Sequence, residues 1–349
     1  MTVSEERPGA AMSAEVAEQP AVWRRLLEAR EPIERAGATL ADRRPRFVSL
    51  VARGTSDHAA LYAKYLVEIV LGLPAGLASP STMTAYGARP DLRDVLVIGV
   101  SQSGGSPDLV QTMRVAREQG ALTLAVTNAP ESPLAKAAET HLDVLAGPEH
   151  AVAATKSYTA QLLTLFLLVD AMAGGHGAAA RDLPAWGEAL LEQDAGLAGA
   201  AVRYRFAERL VVTGRGYSHA TAREAALKLM ETSYISAQAF SGADLLHGPM
   251  AMVDAQVPVL AVMAEGVGGE AMQPVMPRLR ELRADVFCVG SAAAVAECAA
   301  GIALPAGVPE PVSPVLEILP FQMLARHLAV ARGGDPDAPR GLRKVTETL

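Results

Sequence analysis

The sequence predicts an α/β protein made of two tandem copies of one doubly wound unit, each a parallel sheet flanked by helices in three layers. Three observations predict it. Short apolar runs alternate with amphipathic helical segments, the pattern of strands covered on both faces by crossover helices. That rhythm starts twice, on either side of a Gly/Ala/Pro-rich stretch from Ala173 to Pro184 that reads as a linker. Each copy also carries one local signature behind its first strand, Arg53-Gly54-x-Ser56 and Arg215-Gly216-x-Ser218.

Taken in order, the first ten residues read as a disordered leader. Glu15 to Arg30 reads as one helix, with Val22, Leu26 and Leu27 at helical spacing and Pro20 at a tolerated early position. Phe47–Gly54 is an apolar run ending in glycine, followed by a helical segment, and Asp94–Gly105 repeats that plan. Ala121–Asn128 and His141–Gly147 are further strands, and Thr155 to Met172 forms a longer helix. The second copy supplies strands at Arg209–Gly216, Pro258–Ala264, Ala284–Gly290 and Gly301–Gly307. The expected division is a leader and helix over 1–34, a first domain over 35–180, a second over 190–338 and a tail over 339–349.

Composition narrows the function classes. Of 349 residues, 50% are hydrophobic, enough for sizeable cores at a length expected for about two domains. A net charge of −7 with no basic run argues against nucleic acid or an anionic membrane as partner. No stretch approaches the roughly 20 apolar residues of a membrane span, and the N-terminus lacks the basic-then-apolar order of a signal peptide. A cytoplasmic protein is expected. Cys288 and Cys298 form no disulfide framework and no metal-ligand spacing, so they read as ordinary thiols. Lysines are scarce against arginines, only five among 31 basic residues, so a lysine beside a plausible site carries information.

Ligands of open parallel sheets sit beyond the carboxyl ends of the strands. There, Ser101-Gln102-Ser103-Gly104-Gly105-Ser106 joins a strand to a helix, offering hydroxyls, an amide and backbone N–H groups to an anion. It lacks the lysine of a nucleotide P-loop, and a capped turn is the plain alternative. Thr55 and Ser56 end the first strand, where an N-cap role competes with ligand binding. On one helix face, Glu224, Lys228 and Glu231 stand three and four residues apart, and His247 follows closely. A surface ion-pair ladder would use the same spacing. A partly buried Glu, Lys and His near one cleft would instead be equipped for proton transfer next to a carbonyl. Lys344 lies in a polar terminal segment that could be a frayed tail; its amine could also form a Schiff base with a sugar carbonyl. The remaining histidines have no ligand spacing and read as structural or exposed.

Five ordered segments carry a family resemblance: RGTSDHAALYAKYLVE, SQSGGSPD, AGPEHAVAATKSYTAQL, EAALKLMETSYISAQAFSGADLLHGPMAM and the ending LPFQMLARHLAVARGGDPDAPRGLRKVTET. The chain resembles the sugar-isomerase (SIS) family, above all the isomerase half of glucosamine-6-phosphate synthase and stand-alone glucosamine-6-phosphate deaminases and isomerases. The resemblance implies that Ser101, Gln102, Ser103 and Ser106 hold a sugar phosphate, while Thr55 and the backbone near Val152 line the sugar. It implies that Glu231 moves a proton between C1 and C2 with Lys228 beside it, and that His247, presented by a neighbouring subunit, helps open the pyranose ring. Lys344 would contact the open-chain sugar or form an imine with it.

Departures qualify the likeness. Gly105 and Ser106 replace an acidic residue and a threonine of the synthase, and Ala154 stands where it tends to have serine. With no glutaminase segment or N-terminal catalytic cysteine in view, synthesis from glutamine is not expected. The expected function is conversion of glucosamine 6-phosphate to fructose 6-phosphate and ammonia, in a homodimer with shared site residues. No metal or nicotinamide cofactor is required for that enolisation. The runner-up is an aldose–ketose isomerase or dehydratase acting on a related (N-acetyl)amino-sugar 6-phosphate, and further behind stands a sugar-phosphate sensor.

Overall fold

A computed structural model describes residues 7–342 and Lys344. Three helices lead the chain, α1 (Ala10–Ala17), α2 (Gln19–Glu28) and α3 (Glu31–Asp42). The first sheet region contains β1 (Phe47–Val51), α4 (Thr55–Leu66), β2 (Ala75–Leu77), α5 (Pro80–Thr84), β3 (Val95–Ser101), α6 (Pro107–Glu118) and β4 (Leu122–Thr127). It continues through α7 (Pro133–Ala137), β5 (Thr140–Asp143) and the long α8 (Lys156–Met172). Helices α9 (Leu183–Leu191) and α10 (Asp194–Tyr204) then precede β6 (Arg209–Gly214), α11 (Ser218–Ser233), β7 (Ser236–Ser241), α12 (Gly242–Leu246) and β8 (Val259–Met263). The last elements are α13 (Val267–Glu270), α14 (Val275–Glu281), β9 (Val286–Gly290), α15 (Ala292–Ala296), β10 (Ala300–Ala303) and α16 (Ser313–Ala331). The described residues form two compact units: one holds 21–148 and 156–181, the other 7–20, 149–155, 182–342 and Lys344.

Both sheets are wholly parallel and wound alike, β2-β1-β3-β4-β5 in one and β7-β6-β8-β9-β10 in the other. In each, the strand order reverses between the first and third strands of the copy, the switch point where such sheets place ligands. The central strands explain themselves: all of LTLAVT in β4 and VLAVM in β8 is buried, as a sheet covered on both faces demands. Helix α8 is buried on every side along nearly its whole length, so it serves as core rather than cover.

One expectation is corrected at the N-terminus, and residues 1–6 of the expected leader lie outside the described residues. Helix α1 begins at Ala10, and Met12 is completely buried. Its start is fixed from afar: Asp335 accepts the Gly9 N–H at 3.0 Å, and Asp337 accepts those of Ala11 and Met12, both at 2.8 Å. The single helix expected from Glu15 to Arg30 is two, separated at Glu18; Pro20 sits in the first turn of α2, where a missing N–H costs nothing. Cys288 and Cys298 are free thiols. No helix among the described residues is long and apolar enough to cross a membrane.

Candidate functional site

In the unit of the first sheet, β1 and β3 deliver their loops to the switch point. The Ser101–Ser106 turn is held by its own atoms: Ser101 Oγ accepts the Gly104 N–H at 3.0 Å, and Ser103 Oγ accepts that of Gly105 at 3.3 Å. Gly104 has φ 62°, and a Cβ there would lie 2.2 Å from Ser132 Oγ, so only glycine fits. Ser106 is the N-cap residue of α6, yet its hydroxyl makes no capping bond. Arg53, behind β1, ion-pairs with buried Asp108 of α6 at 2.9 Å, tying the two switch-point loops together and leaving its guanidinium half exposed. A cleft of about 500 Å³ lined by Thr84, Gly105, Pro107, Gln111 and Arg114 adjoins the turn. Thr55 opens α4 half-buried, whereas the Ser56 hydroxyl is buried and accepts from Gln161 Nε2 of α8 at 3.0 Å. That engagement makes Ser56 part of the packing between α4 and α8.

In the other unit, α11 carries the charged trio. Lys228 Nζ lies 2.6 Å from Glu231 Oε2 and 3.3 Å from Glu224 Oε1. The surface ladder is excluded, since Lys228 and Glu224 have no accessible side-chain surface and Glu231 keeps 23%. Burial opposes the lysine's charge, but the two carboxylates outweigh it and hold the Lys228 pKa above the ordinary lysine value. The trio therefore presents one partly open carboxylate, backed by a cation with no surface of its own.

The 149–155 loop and the tail meet in the same unit. Lys344 Nζ donates to Glu149 Oε2 at 3.0 Å and to the Ala151 carbonyl at 2.6 Å. Glu149 spans the loop, its other oxygen accepting the Thr155 N–H at 3.0 Å, and Val152 stands half-buried between them. Tail residue Arg340 donates its N–H to Tyr234 Oη at 2.8 Å and stacks its guanidinium 4.2 Å above that ring. Tyr234 caps α11 three residues after Glu231. The structure thus seats Lys344, while Arg343 and residues 345–349 of the expected tail lie outside the described residues. His247 is exposed at the C-terminal cap of α12, and no hydrogen bond or ion pair among the described residues joins it to Glu231.

Comparison with known proteins adds the family. The model for the SIS domain matches twice, at residues 43–171 and 204–332. The chain belongs to the SIS-domain family. Glutamine–fructose-6-phosphate aminotransferase (isomerizing) of Gloeobacter violaceus is 35% identical over 95% of this chain and 58% of its own length. The Methanothermobacter thermautotrophicus protein of the same name is 36% identical over 85% of this chain and 51% of its own. The SIS chain thus spans little more than half the length of these curated relatives. Among solved structures, one from Silicibacter pomeroyi described as a candidate phosphosugar isomerase shares 35% identity at TM-score 0.85, covering 94% of this chain and 99% of that one. Glucosamine-6-phosphate deaminase of Thermotoga maritima shares the fold at 24% identity and TM-score 0.76, covering 97% and 100%.

Three SIS-chain residues escaped the sequence reading. Glu15 lacked any signal beyond its charge, and Glu149 was visible only as a member of the third resemblance segment, because their partners are placed by tertiary folding. Arg53 was noticed only as half of a repeat signature, although its basic charge behind a strand end could have marked it.

Proposed function

We propose that the chain deaminates and isomerises glucosamine 6-phosphate, consuming water and yielding fructose 6-phosphate and ammonia. The observation that carries this reading is the Lys228–Glu231 pair, a partly open carboxylate held 2.6 Å from the ammonium of a buried lysine. Once the pyranose is open, Glu231 takes the C2 proton of the aldehyde, producing an enolamine, and returns a proton to C1. The resulting C2 imine is hydrolysed: water adds to carbon and ammonia leaves. Lys228 is fully buried and acts through Glu231 rather than on the sugar. Ser101, Gln102, Ser103 and Ser106 hold the phosphate on this reading, with Thr55 and the Val152 backbone along the sugar. His247 of a partner subunit in a homodimer would assist ring opening. Lys344 would contact the oxygen of the open-chain carbonyl, its ammonium steadied by Glu149 at 3.0 Å.

The names of its relatives and neighbours support the substrate class, and the retained trio supports catalysis over mere sensing. The test is direct. The purified protein is incubated with glucosamine 6-phosphate, its N-acetyl form and fructose 6-phosphate, and ammonia, ketose phosphate and unsaturated sugar are measured. Ammonia and fructose 6-phosphate in equal amounts from glucosamine 6-phosphate are expected. Ketose without ammonia, or dehydration of the N-acetyl sugar alone, moves the reading to isomerase or dehydratase. Binding with no product at all makes the chain a sensor.

A further inference from the structure

We infer that helix α1 is a brace for the catalytic tail and that Glu15 is a positioning residue for Lys344; the inference rests on the reading of Lys344 as a substrate-contacting amine. The Glu15 carboxylate is buried, with 3% of the residue exposed, and accepts the N–H groups of His150 and Ala151, the latter at 3.3 Å from each oxygen. Residue 151 is therefore fixed from its amide side, while its carbonyl receives Lys344 Nζ at 2.6 Å. At the other end of α1, the tail grips the helix through Asp335 and Asp337, the latter seven residues before Lys344. The contacts close a ring: α1 to the 149–151 loop, loop to Lys344, Lys344 through the tail to Asp337, and Asp337 back to α1.

Stability alone does not account for this arrangement. Burial raises the Glu15 pKa, and the neighbouring Glu149 charge adds to the rise against the pull of the two backbone donors. A carboxylate kept in so unfavourable a place is compensated by what it orders, here the two acceptors of one lysine. A neutral amide at position 15 keeps the side-chain shape but weakens both charge-assisted bonds.

The test needs no substrate. Full-length protein is treated with a limiting amine acylating reagent, and labelling at Lys344 is followed by peptide mass spectrometry against Lys136, whose side chain is 65% exposed. Glu15→Gln is expected to speed Lys344 labelling by about tenfold, the scale of one weakened charge-assisted hydrogen bond, with Lys136 unchanged. Asp337→Asn, at the far end of the helix, should act in the same direction and carries the test if Glu15→Gln does not fold. Unchanged Lys344 reactivity in folded variants overturns the brace, whatever the substrate proves to be. Faster labelling with reduced kcat and nearly constant KM supports both the brace and the tail's part in turnover. Faster labelling with wild-type turnover supports the brace and removes Lys344 from the chemistry.

Discussion

The two sheets solve the same packing problem with opposite chemistry. A shift of 162 residues lays β1 on β6 and Ser56 on Ser218. It also lays Tyr62 on Glu224, Leu66 on Lys228 and Ile69 on Glu231. Tyr62 and Leu66 are as completely buried as the charged residues they match. The fold thus has an uncharged answer at the two buried positions and uses it once. Buried ion pairs are seldom more stable than an apolar replacement, so the trio on α11 is poorly explained as a stability device. The serines differ likewise: Ser56 accepts from neutral Gln161, whereas Ser218 donates to Glu317 at 2.8 Å. At the turn that follows the third strand of each copy the contrast reverses. The Ser106 hydroxyl makes no capping bond, while in the second sheet the Val267 and Gly268 N–H groups are already taken by the Glu310 carboxylate at 2.9 and 2.7 Å. One copy leaves its cap hydroxyl without a capping bond, and the other fills its turn with a carboxylate of its own.

The comparison breaks first if Glu231 is dispensable. Glu231→Gln should cut turnover by roughly 10²–10⁴-fold with KM little changed, and exchange of the substrate C2 hydrogen with deuterated solvent should vanish. Wild-type rates for both would return the trio to an inert ion-pair cluster. Stability sharpens it next. Lys228→Leu strands a buried carboxylate and should cost about 3–5 kcal/mol in chemical unfolding. Glu224→Tyr, Lys228→Leu and Glu231→Ile together, the first copy's residues, should recover most of that loss while turnover stays absent. A triple variant less stable than the single one would mean that the copies differ in backbone, not only in side chains.

Much of this contrast was legible as pattern, and what was not depended on distance along the chain. The β4 and β8 runs and the spacing of Glu224, Lys228 and Glu231 are local, so period and propensity exposed them. Strand β2, only three residues long and half-buried, carries no apolar run to notice. Strand β7 is an edge, and its SAQAFS sequence is too polar to separate from a loop. Burial of the trio was equally hidden, because the same spacing suits a surface. The anchoring of α1 joins residues 326 apart, and nothing in its own sequence announces Asp335 or Asp337.

The Ser101–Ser106 turn offers a smaller effect. Ser106→Ala should raise KM for a sugar phosphate by roughly 10–100-fold, equivalent to about 1.5–3 kcal/mol, and leave kcat alone. Equal affinity of the wild type for phosphorylated and free sugar would remove this turn from the site. Least in size is a pH effect at Glu317, whose pKa is raised by complete burial against hydrogen bonds from Ser313, Thr221 and Ser218. The folded state then holds its proton more tightly than the unfolded chain. This contribution to stability is full below the ordinary carboxylate value of 4.5 and is lost as pH rises through the folded-state value. Thermal melting of Glu317→Gln should therefore decline less between pH 5 and pH 8 than that of wild type. An identical decline would show that Glu317 ionises as it does in the unfolded chain.

The wedge between Gly104 and Ser132 sets an order on sequence drift. Ser132 is the N-cap of α7, where its Oγ accepts the Ala135 N–H, while the Leu134 N–H donates to the Gly104 carbonyl. Any side chain at 104 collides with Ser132, and the left-handed backbone there resists one even after space is made. Shrinking Ser132 first lifts the collision and sacrifices the cap, so each route to a non-glycine residue passes through an intermediate with a weaker helix start. Epistasis of this kind makes two positions drift as one. A residue on α7 then limits which sequences the Ser101–Ser106 turn can take in descendants of this chain.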